Sequence, residues 1–372
     1  MPAPTLDPDL RALLDRYGFD EDRLSSAAAA LVDGSPRPGN AVTGRVEHVG
    51  ADEVVGLPAV GTPARAELHA LGARALAAGQ VGVVFLAGGM ATRFGGVVKA
   101  VVPVAEQRSF LELKLADTRN VAASAGAPVP VWLLTSFATH DTLVAYVAGL
   151  PVTPATPIEC VPQYVSLRLG ADGQLFRDPT GAVSPYAPGH GDLTFALRRS
   201  GALARFRAAG GKYLHMSNVD NLAATLDPAV IGAHLASGRA LTAEVVRKEP
   251  GDRGGAPVRV DGVPQILESF RFPADFDQDA VPVFNTNTFV LDVEAIDRDF
   301  ELTYFHVAKQ VDGQLAIQYE RLVGELTAHL PTQFLEVARA GLDGRFQPVK
   351  DPDELGARRP DIEAILRARH ML

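Results

Sequence analysis

The sequence predicts an α/β protein with a mixed, mostly parallel sheet and an N-terminal helical region. From Val81 onward, strand-like apolar runs alternate with helix-period segments, as in sheets whose parallel strands are joined through helices. Glycine, proline and capping residues fall at the ends of those segments. The first run, Val81–Ala87, leads directly into a glycine-rich turn, the way such sheets deliver a binding loop beyond a strand's carboxyl end.

Residues 1–33 place Leu10, Leu13, Leu14 and Tyr17 at helical spacing. Gly34-Ser35-Pro36-Arg37-Pro38-Gly39 breaks the pattern and reads as a linker or long surface loop. A helix follows over Thr62–Ala78, with Pro63 in its first turn and Gly79 beyond its end. Strands are expected at Val81–Ala87, Val129–Thr135, Ile158–Val161, Tyr213–Met216, Leu241–Arg247 and Val283–Leu291. Helices are expected at Phe110–Ala125, Asp192–Ala209 and Asp227–Ser237, the last with Asp227 as N-cap and Gly238 as terminator. Val258–Glu268 reads as a hairpin turning at Asp261-Gly262. The expected division is an N-terminal helical region at 1–78, the main α/β domain at 79–298 and a C-terminal α+β domain at 299–372.

Composition narrows the function. With 372 residues, 47% hydrophobic and 21% charged, the chain is an ordinary globular protein. Its net charge of −9 argues against a general nucleic-acid-binding surface, which works by neutralising phosphates. The single cysteine, Cys160, allows no internal disulfide or cysteine metal cluster and reads as a small core hydrophobe. No signal-like segment opens the chain and no run reaches ~18 apolar residues, so no membrane partner is expected and the placement is cytoplasmic.

In the segment VGVVFLAGGMATRFGGVVKAVVP, Gly88, Gly89, Gly95 and Gly96 let the backbone pass close to a ligand, and Arg93 and Lys99 supply positive charge. Walker A is excluded, because five residues separate Gly89 from Gly95 and no Gly-Lys follows. The dinucleotide pattern G-x-G-x-x-G is absent too. A nucleotide-phosphate loop of another type is the functional reading; a tight turn with exposed basic residues is the alternative.

Other polar residues stand beyond later strands. Gln163 offers the donor and acceptor of an amide to a nucleobase edge, without choosing the base alone. His190 lies between Gly189 and Gly191, ahead of Asp192, an expected N-cap. Asp220, between Asn218 and Asn221 after a buried strand, suits Mg²⁺, which takes few protein oxygens and shares the rest with phosphate and water. Glu244 is a charge within an apolar strand, which needs a partner, a function or a solvent-facing position. Gly254 and Gly255 open a close-approach turn beside Arg253, and Glu268 closes the hairpin. By the period of two, Asn285 and Asn287 share a strand face suited to sugar hydroxyls. Lys350 follows a short β-like run and reads equally as an exposed lysine.

Together these segments resemble the UDP-glucose pyrophosphorylase family, the eukaryotic-type UTP–glucose-1-phosphate uridylyltransferases. The resemblance runs collinearly from about Val81 to Lys350 and rests most on APGHGD at 187–192, SNVDNLAATLD at 217–227, FNTN at 284–287 and FQPVKDPDEL at 346–355. It implies a Rossmann-like nucleotidyltransferase domain and a small C-terminal β-rich domain, with NTP and sugar 1-phosphate giving a nucleoside-diphosphate sugar and pyrophosphate, with Mg²⁺. By similarity, Leu86, Ala87, Gly88, Gly89, Gln163 and Gly189 would bind the nucleotide, while Arg93, Lys99 and Lys350 would serve the phosphates. His190, Asn218, Glu244, Gly255, Glu268, Asn285 and Asn287 would line the sugar site, and Asp220 would hold the metal. The best-matching substrates are UTP and glucose 1-phosphate.

Independently of the resemblance, these residue types suit a reaction in which two anions meet. Like charges about 4 Å apart cost about 4 kcal/mol at an effective dielectric of about 20, which cations must offset. No nucleophilic side chain is then needed. The chain departs from the family pattern at Ala91, at Val97-Val98 before Lys99, at Arg253, in ESFRFP at 268–273 and at Thr288. These departures leave three alternatives. One is the same chemistry with GTP or another NTP and a cyclitol or modified sugar phosphate. The others are a metal-dependent glycosyltransferase and a non-catalytic nucleotide-sugar sensor. Oligomeric state is open, a homodimer included.

Overall fold

The computed structural model describes residues 6–32, 40–50, 52–252 and 254–372; the expected linker at 34–39 and Arg253 lie outside them. Eight strands form the central sheet: β1 (Val54–Gly56), β2 (Val81–Leu86), β3 (Val131–Thr135), β4 (Ile158–Pro162), β5 (Tyr213–Asn218), β6 (Leu241–Arg247), β7 (Val283–Asp292) and β8 (Thr332–Glu336). Their spatial order is β1-β8-β6-β7-β5-β2-β3-β4. Every neighbouring pair is parallel except those made by β7, which runs against β5 and β6. This is the mixed, mostly parallel sheet that the alternation of patterns predicts. Strands from before residue 79 and after residue 298 pair in the same sheet as the middle ones.

Each expected strand from Val81 to Asp292 appears within a residue or two of its expected bounds, and all but the edge strand β4 are apolar enough to be buried on both faces. Helices Pro63–Ala77, Phe110–Ala125, Pro228–Ser237 and Pro352–Ala368 pack on one face, and Leu193–Arg199 with Ala202–Ala208 on the other. Asp227 and Gly238 bound their helix as the sequence signals. Thr62 and Asp227 accept backbone N–H groups of the helices they open, Ser109 and Glu112 form a capping box, and Gly238 ends its helix in the left-handed conformation. The single helix expected over Asp192–Ala209 is two, because Gly201 takes φ +72° and turns the chain between them.

Helix Pro8–Tyr17 docks through Leu14 and Tyr17 onto Val165 and Leu167, just past β4. The hairpin Ala256–Val260/Val263–Leu267 turns at Asp261-Gly262, both at positive φ, and gains Val46–His48 as a third strand. A second hairpin, Phe305–Val311/Gln314–Glu320, precedes β8. Cys160 is half-buried against the core, and burial, with Glu159 beside it, pushes its thiol up to about 11. No helix among the described residues is long and apolar enough to cross a membrane.

Helices Pro63–Ala77 and Pro228–Ser237 meet through glycines. A Cβ on Gly232 would stand 1.8 Å from the Leu68 carbonyl oxygen, and one on Gly72 1.8 Å from that of Pro228. Gly232→Ala should therefore lower the unfolding free energy by about 1–3 kcal/mol, measured by urea denaturation. Gly356→Ala, in helix Pro352–Ala368 with open space around it, should leave stability equal or raise it by about 0.5–1 kcal/mol.

Candidate active site

Parallel register sets the site. Leu86 at the end of β2 pairs with Asn218 of β5 and Leu134 of β3, and Thr135 pairs with Pro162 of β4. The loops after β2, β3, β4 and β5 thus emerge side by side at one edge of the sheet, where ligands of open α/β sheets bind.

The loop after β2 folds as a small hairpin, Met90–Ala91 against Val97–Val98, with Gly95 and Gly96 at positive φ. Ala87 is buried, Leu86 half-buried and Gly89 exposed. Lys99 closes the loop by donating its N–H to the Gly89 carbonyl at 3.2 Å. Its ammonium forms an ion pair with the Asp220 carboxylate, joining the glycine loop to the loop after β5. Arg93 stands out at the loop tip and faces Asp351 at 3.9 Å. Gly88 is needed for contact: a Cβ there would lie 2.4 Å from Gln163 Nε2. Gln163 is buried, its N–H donating to Thr135 O at 2.8 Å, while its Oε1 has no hydrogen-bond partner. A buried acceptor left unpaired costs about 1–3 kcal/mol, so this amide is set to take a donor from a ligand.

Lys350 reaches the same edge from the C-terminal part. The preceding residues are stitched to the loop after β5: Asn221 bridges Pro348, and Asn221 Oδ1 accepts the Gln347 N–H at 2.9 Å. Lys350 is exposed, and its N–H donates to Glu354 Oε2 at 2.6 Å.

The candidate sugar residues form a chain beside this edge. Asn287 Nδ2 donates to Asn218 Oδ1 at 2.9 Å, the Asn287 N–H to Asn285 Oδ1 at 3.0 Å, and the Asn285 N–H to Gly255 O at 2.7 Å. Gly255 backs onto Glu268, whose Oε1 lies 2.9 Å from where a Cβ on Gly255 would stand. Burial, with Glu325 adding to it against Arg271, raises the Glu268 carboxyl above its ordinary range. His190 accepts the Val323 N–H on Nδ1 at 3.1 Å, and burial pushes its ring down to about 4. The neutral ring then carries its proton on Nε2, as a donor.

Three expectations need correction. Glu244 is fully buried and takes two hydrogen bonds from Arg345, Nε to Oε2 and Nη2 to Oε1, each 2.7 Å; it is sealed inside the core, away from any sugar. Asp192 caps no helix with its side chain; it accepts the Tyr164 N–H at 2.9 Å and pairs with buried Arg321. Gly189 and Gly191 are glycine because the Arg321 backbone presses on them, with Cβ positions 2.8 Å from its carbonyl oxygen and 2.5 Å from its carbonyl carbon. Asn285 and Asn287 meet through a turn, since Asn287 takes φ +57° where β7 bulges opposite Glu244.

The buried charges escaped the sequence reading. Lys114 donates from Nζ to Ser217 Oγ at 2.9 Å, to the Asn221 carbonyl at 3.3 Å and to the Ala224 carbonyl, and burial pushes it down to about 7. A lysine set among Phe110, Leu111, Leu113 and Leu115 was the available signal. Among the described residues no group of three or more His, Cys, Asp or Glu is arranged to hold a metal. A cation here would rest on Asp220 and its ligand's own oxygens, which suits Mg²⁺.

A family model described as UTP–glucose-1-phosphate uridylyltransferase matches residues 42–362. The UTP–glucose-1-phosphate uridylyltransferase of Encephalitozoon cuniculi (strain GB-M1) is 26% identical over 292 residues, 74% of this chain and 57% of that protein. That of Hordeum vulgare is 28% identical over 307 residues, 76% of this chain and 62% of that protein. The chain thus spans about three fifths of the length of these relatives. A mutant UDP-glucose pyrophosphorylase from Leishmania major superposes with a TM-score of 0.72 at 22% identity, covering 94% of this chain and 79% of that one. A uridine diphosphate N-acetylglucosamine pyrophosphorylase from Trypanosoma brucei gives 0.75 at 19% identity, covering 97% and 79%. Both structures share the fold.

His190 should titrate with a midpoint near 4, followed by NMR of its ring protons. Because this lies below the ordinary 6.5, the unfolded chain binds the proton more tightly. Its contribution to stability is complete above pH 6.5 and lost as pH falls towards 4. A midpoint near 6.5 would contradict the burial.

Proposed function

The chain belongs to the UTP–glucose-1-phosphate uridylyltransferase family, and we propose that it is a cytoplasmic enzyme that makes UDP-glucose and pyrophosphate from UTP and glucose 1-phosphate. The observation that supports this most is the Lys99–Asp220 pair between the glycine loop and the loop after β5, with the Lys350 segment pinned alongside.

A phosphate oxygen of the sugar phosphate attacks the α-phosphorus of the nucleotide. The bond from that phosphorus to the β-phosphate oxygen breaks, and pyrophosphate leaves with the electron pair. Catalysis consists of alignment and charge neutralisation. The hairpin loop from Gly88 to Lys99 holds the triphosphate, and Lys99 has a second partner in a phosphate oxygen. Arg93, which faces Asp351, and the neighbouring Lys350 bring further charge. Gln163 Oε1 accepts a hydrogen bond from the base, set against Gly88. Asn218, Asn285, Asn287 and Glu268 take sugar hydroxyls, and His190 donates from Nε2. Asp220 would hold Mg²⁺, which when bound supplies further neutralisation at the triphosphate.

The test is pyrophosphate release with Mg²⁺, crossing UTP, GTP, ATP, CTP and dTTP against glucose 1-phosphate, related hexose 1-phosphates and a cyclitol phosphate. UTP with glucose 1-phosphate should give the signal. Another pair would keep the transfer and change the substrates; silence throughout would overturn it and favour a sensor. Asp220→Asn should lower kcat by about 100-fold or more with the fold intact by circular dichroism. Gln163→Ala should raise the nucleotide KM about tenfold and leave kcat within about threefold.

A further inference from the structure

The buried charges beneath the phosphate edge take no part in the steps above. Arg345 is 2% exposed, and its guanidinium grips Glu244 on β6 with two parallel bonds while donating from Nη2 to the Thr225 carbonyl at 2.9 Å. Burial works against the charged guanidinium, but Glu244 outweighs that and raises its pKa. Its main chain is held as firmly: the Arg345 N–H donates to Ala338 O at 2.8 Å, and its carbonyl accepts from Asn221 Nδ2 at 3.0 Å. Asn221 directly follows Asp220 and also receives the Gln347 N–H. Lys114 fastens the same loop from below through Ser217, Asn221 and Ala224.

We propose that Arg345 is a positioning residue, which locks the Phe346–Lys350 segment in register with the loop carrying Asp220, so that Lys350 and Asp220 address one triphosphate. This rests on the assignment above of Lys350 and Asp220 to the phosphates. An apolar pair could fill the same space, often at equal or better stability. What it could not supply is direction. The bidentate fork fixes the plane of the guanidinium, and with Asn221 it fixes where the chain leaves the core towards Lys350. Four residues separate the buried anchor from the exposed lysine, so a slip at Arg345 is carried to the ammonium. A lysine at this position would keep the charge and lose the fork.

The test uses the full chain with Arg345→Lys, Glu244→Gln and the paired Glu244→Leu/Arg345→Met, each with and without Lys350→Ala. Pyrophosphate release from UTP and glucose 1-phosphate is read beside hydrogen exchange of segments 217–226 and 346–350. Lys350→Ala should cost about 100-fold in kcat in the parent chain but under about threefold in the Arg345→Lys background, where the lysine is already displaced. The two segments should exchange about tenfold faster or more while the rest of the sheet is unchanged. The apolar pair covers the case where single variants fold poorly: it should keep its melting temperature and still lose the Lys350 effect. An equal Lys350→Ala cost in both backgrounds, or faster exchange spread over the whole chain, would overturn the proposal. If Lys350→Ala has no effect in the parent chain, the assignment of Lys350 to the phosphates falls, and the proposal with it.

Discussion

The ion pair between Lys99 and Asp220 is the contact on which the rest of the site depends. It exists because β2 and β5 lie next to each other in parallel, with Leu86 opposite Asn218, so the loops that follow leave the sheet as neighbours. One loop brings backbone N–H groups and a cation, the other a carboxylate. In the pair each charge compensates the other, and both are the charges that a triphosphate with its metal would engage. A site built this way need not leave a naked charge at the sheet edge before its ligand arrives.

Different forces hold the sheet and its loops. Burying an aliphatic side chain is worth about 1.5–3 kcal/mol, and β2, β5 and β6 bury nearly every one they carry. A hydrogen bond nets only about 0.5–1.5 kcal/mol, and the loops at the carboxyl edge are placed chiefly by such bonds. Asn221, Lys114, Arg345, Asp192 and Arg321 are therefore the residues through which the site can be loosened without unfolding the sheet. Asp192 and Arg321 tie Tyr164, beside Gln163, to the chain that supports His190. Helix Pro8–Tyr17 adds to this support, since the Gly18 carbonyl accepts the Val165 N–H at 3.1 Å.

Much of this was legible in the sequence where the signal is local. Strand ends, capping residues and the glycine loop are written within a few positions, so β2, the hairpin loop and Asp220 at a strand's exit could be placed from composition and spacing alone. Where a residue's meaning lies in a distant partner, the sequence left it open. Glu244 could be paired, functional or solvent-facing, because its partner, Arg345, is 101 residues away and invisible to any local pattern. The alternation that set Asn285 and Asn287 on one face ignored a bulge, and the two amides meet for another reason. Lys114 was passed over because a lysine on a helix is usually solvated, and here the helix face is buried.

The proposed reaction needs only charge neutralisation and alignment, with the sugar phosphate displacing pyrophosphate directly. A single-turnover reaction with α-³²P-labelled UTP, glucose 1-phosphate and Mg²⁺, quenched over milliseconds to seconds, tests it most directly. Label should pass from UTP to UDP-glucose at the rate at which pyrophosphate appears, with none carried on the protein. Label held covalently by the protein, or pyrophosphate released without labelled UDP-glucose, would contradict it.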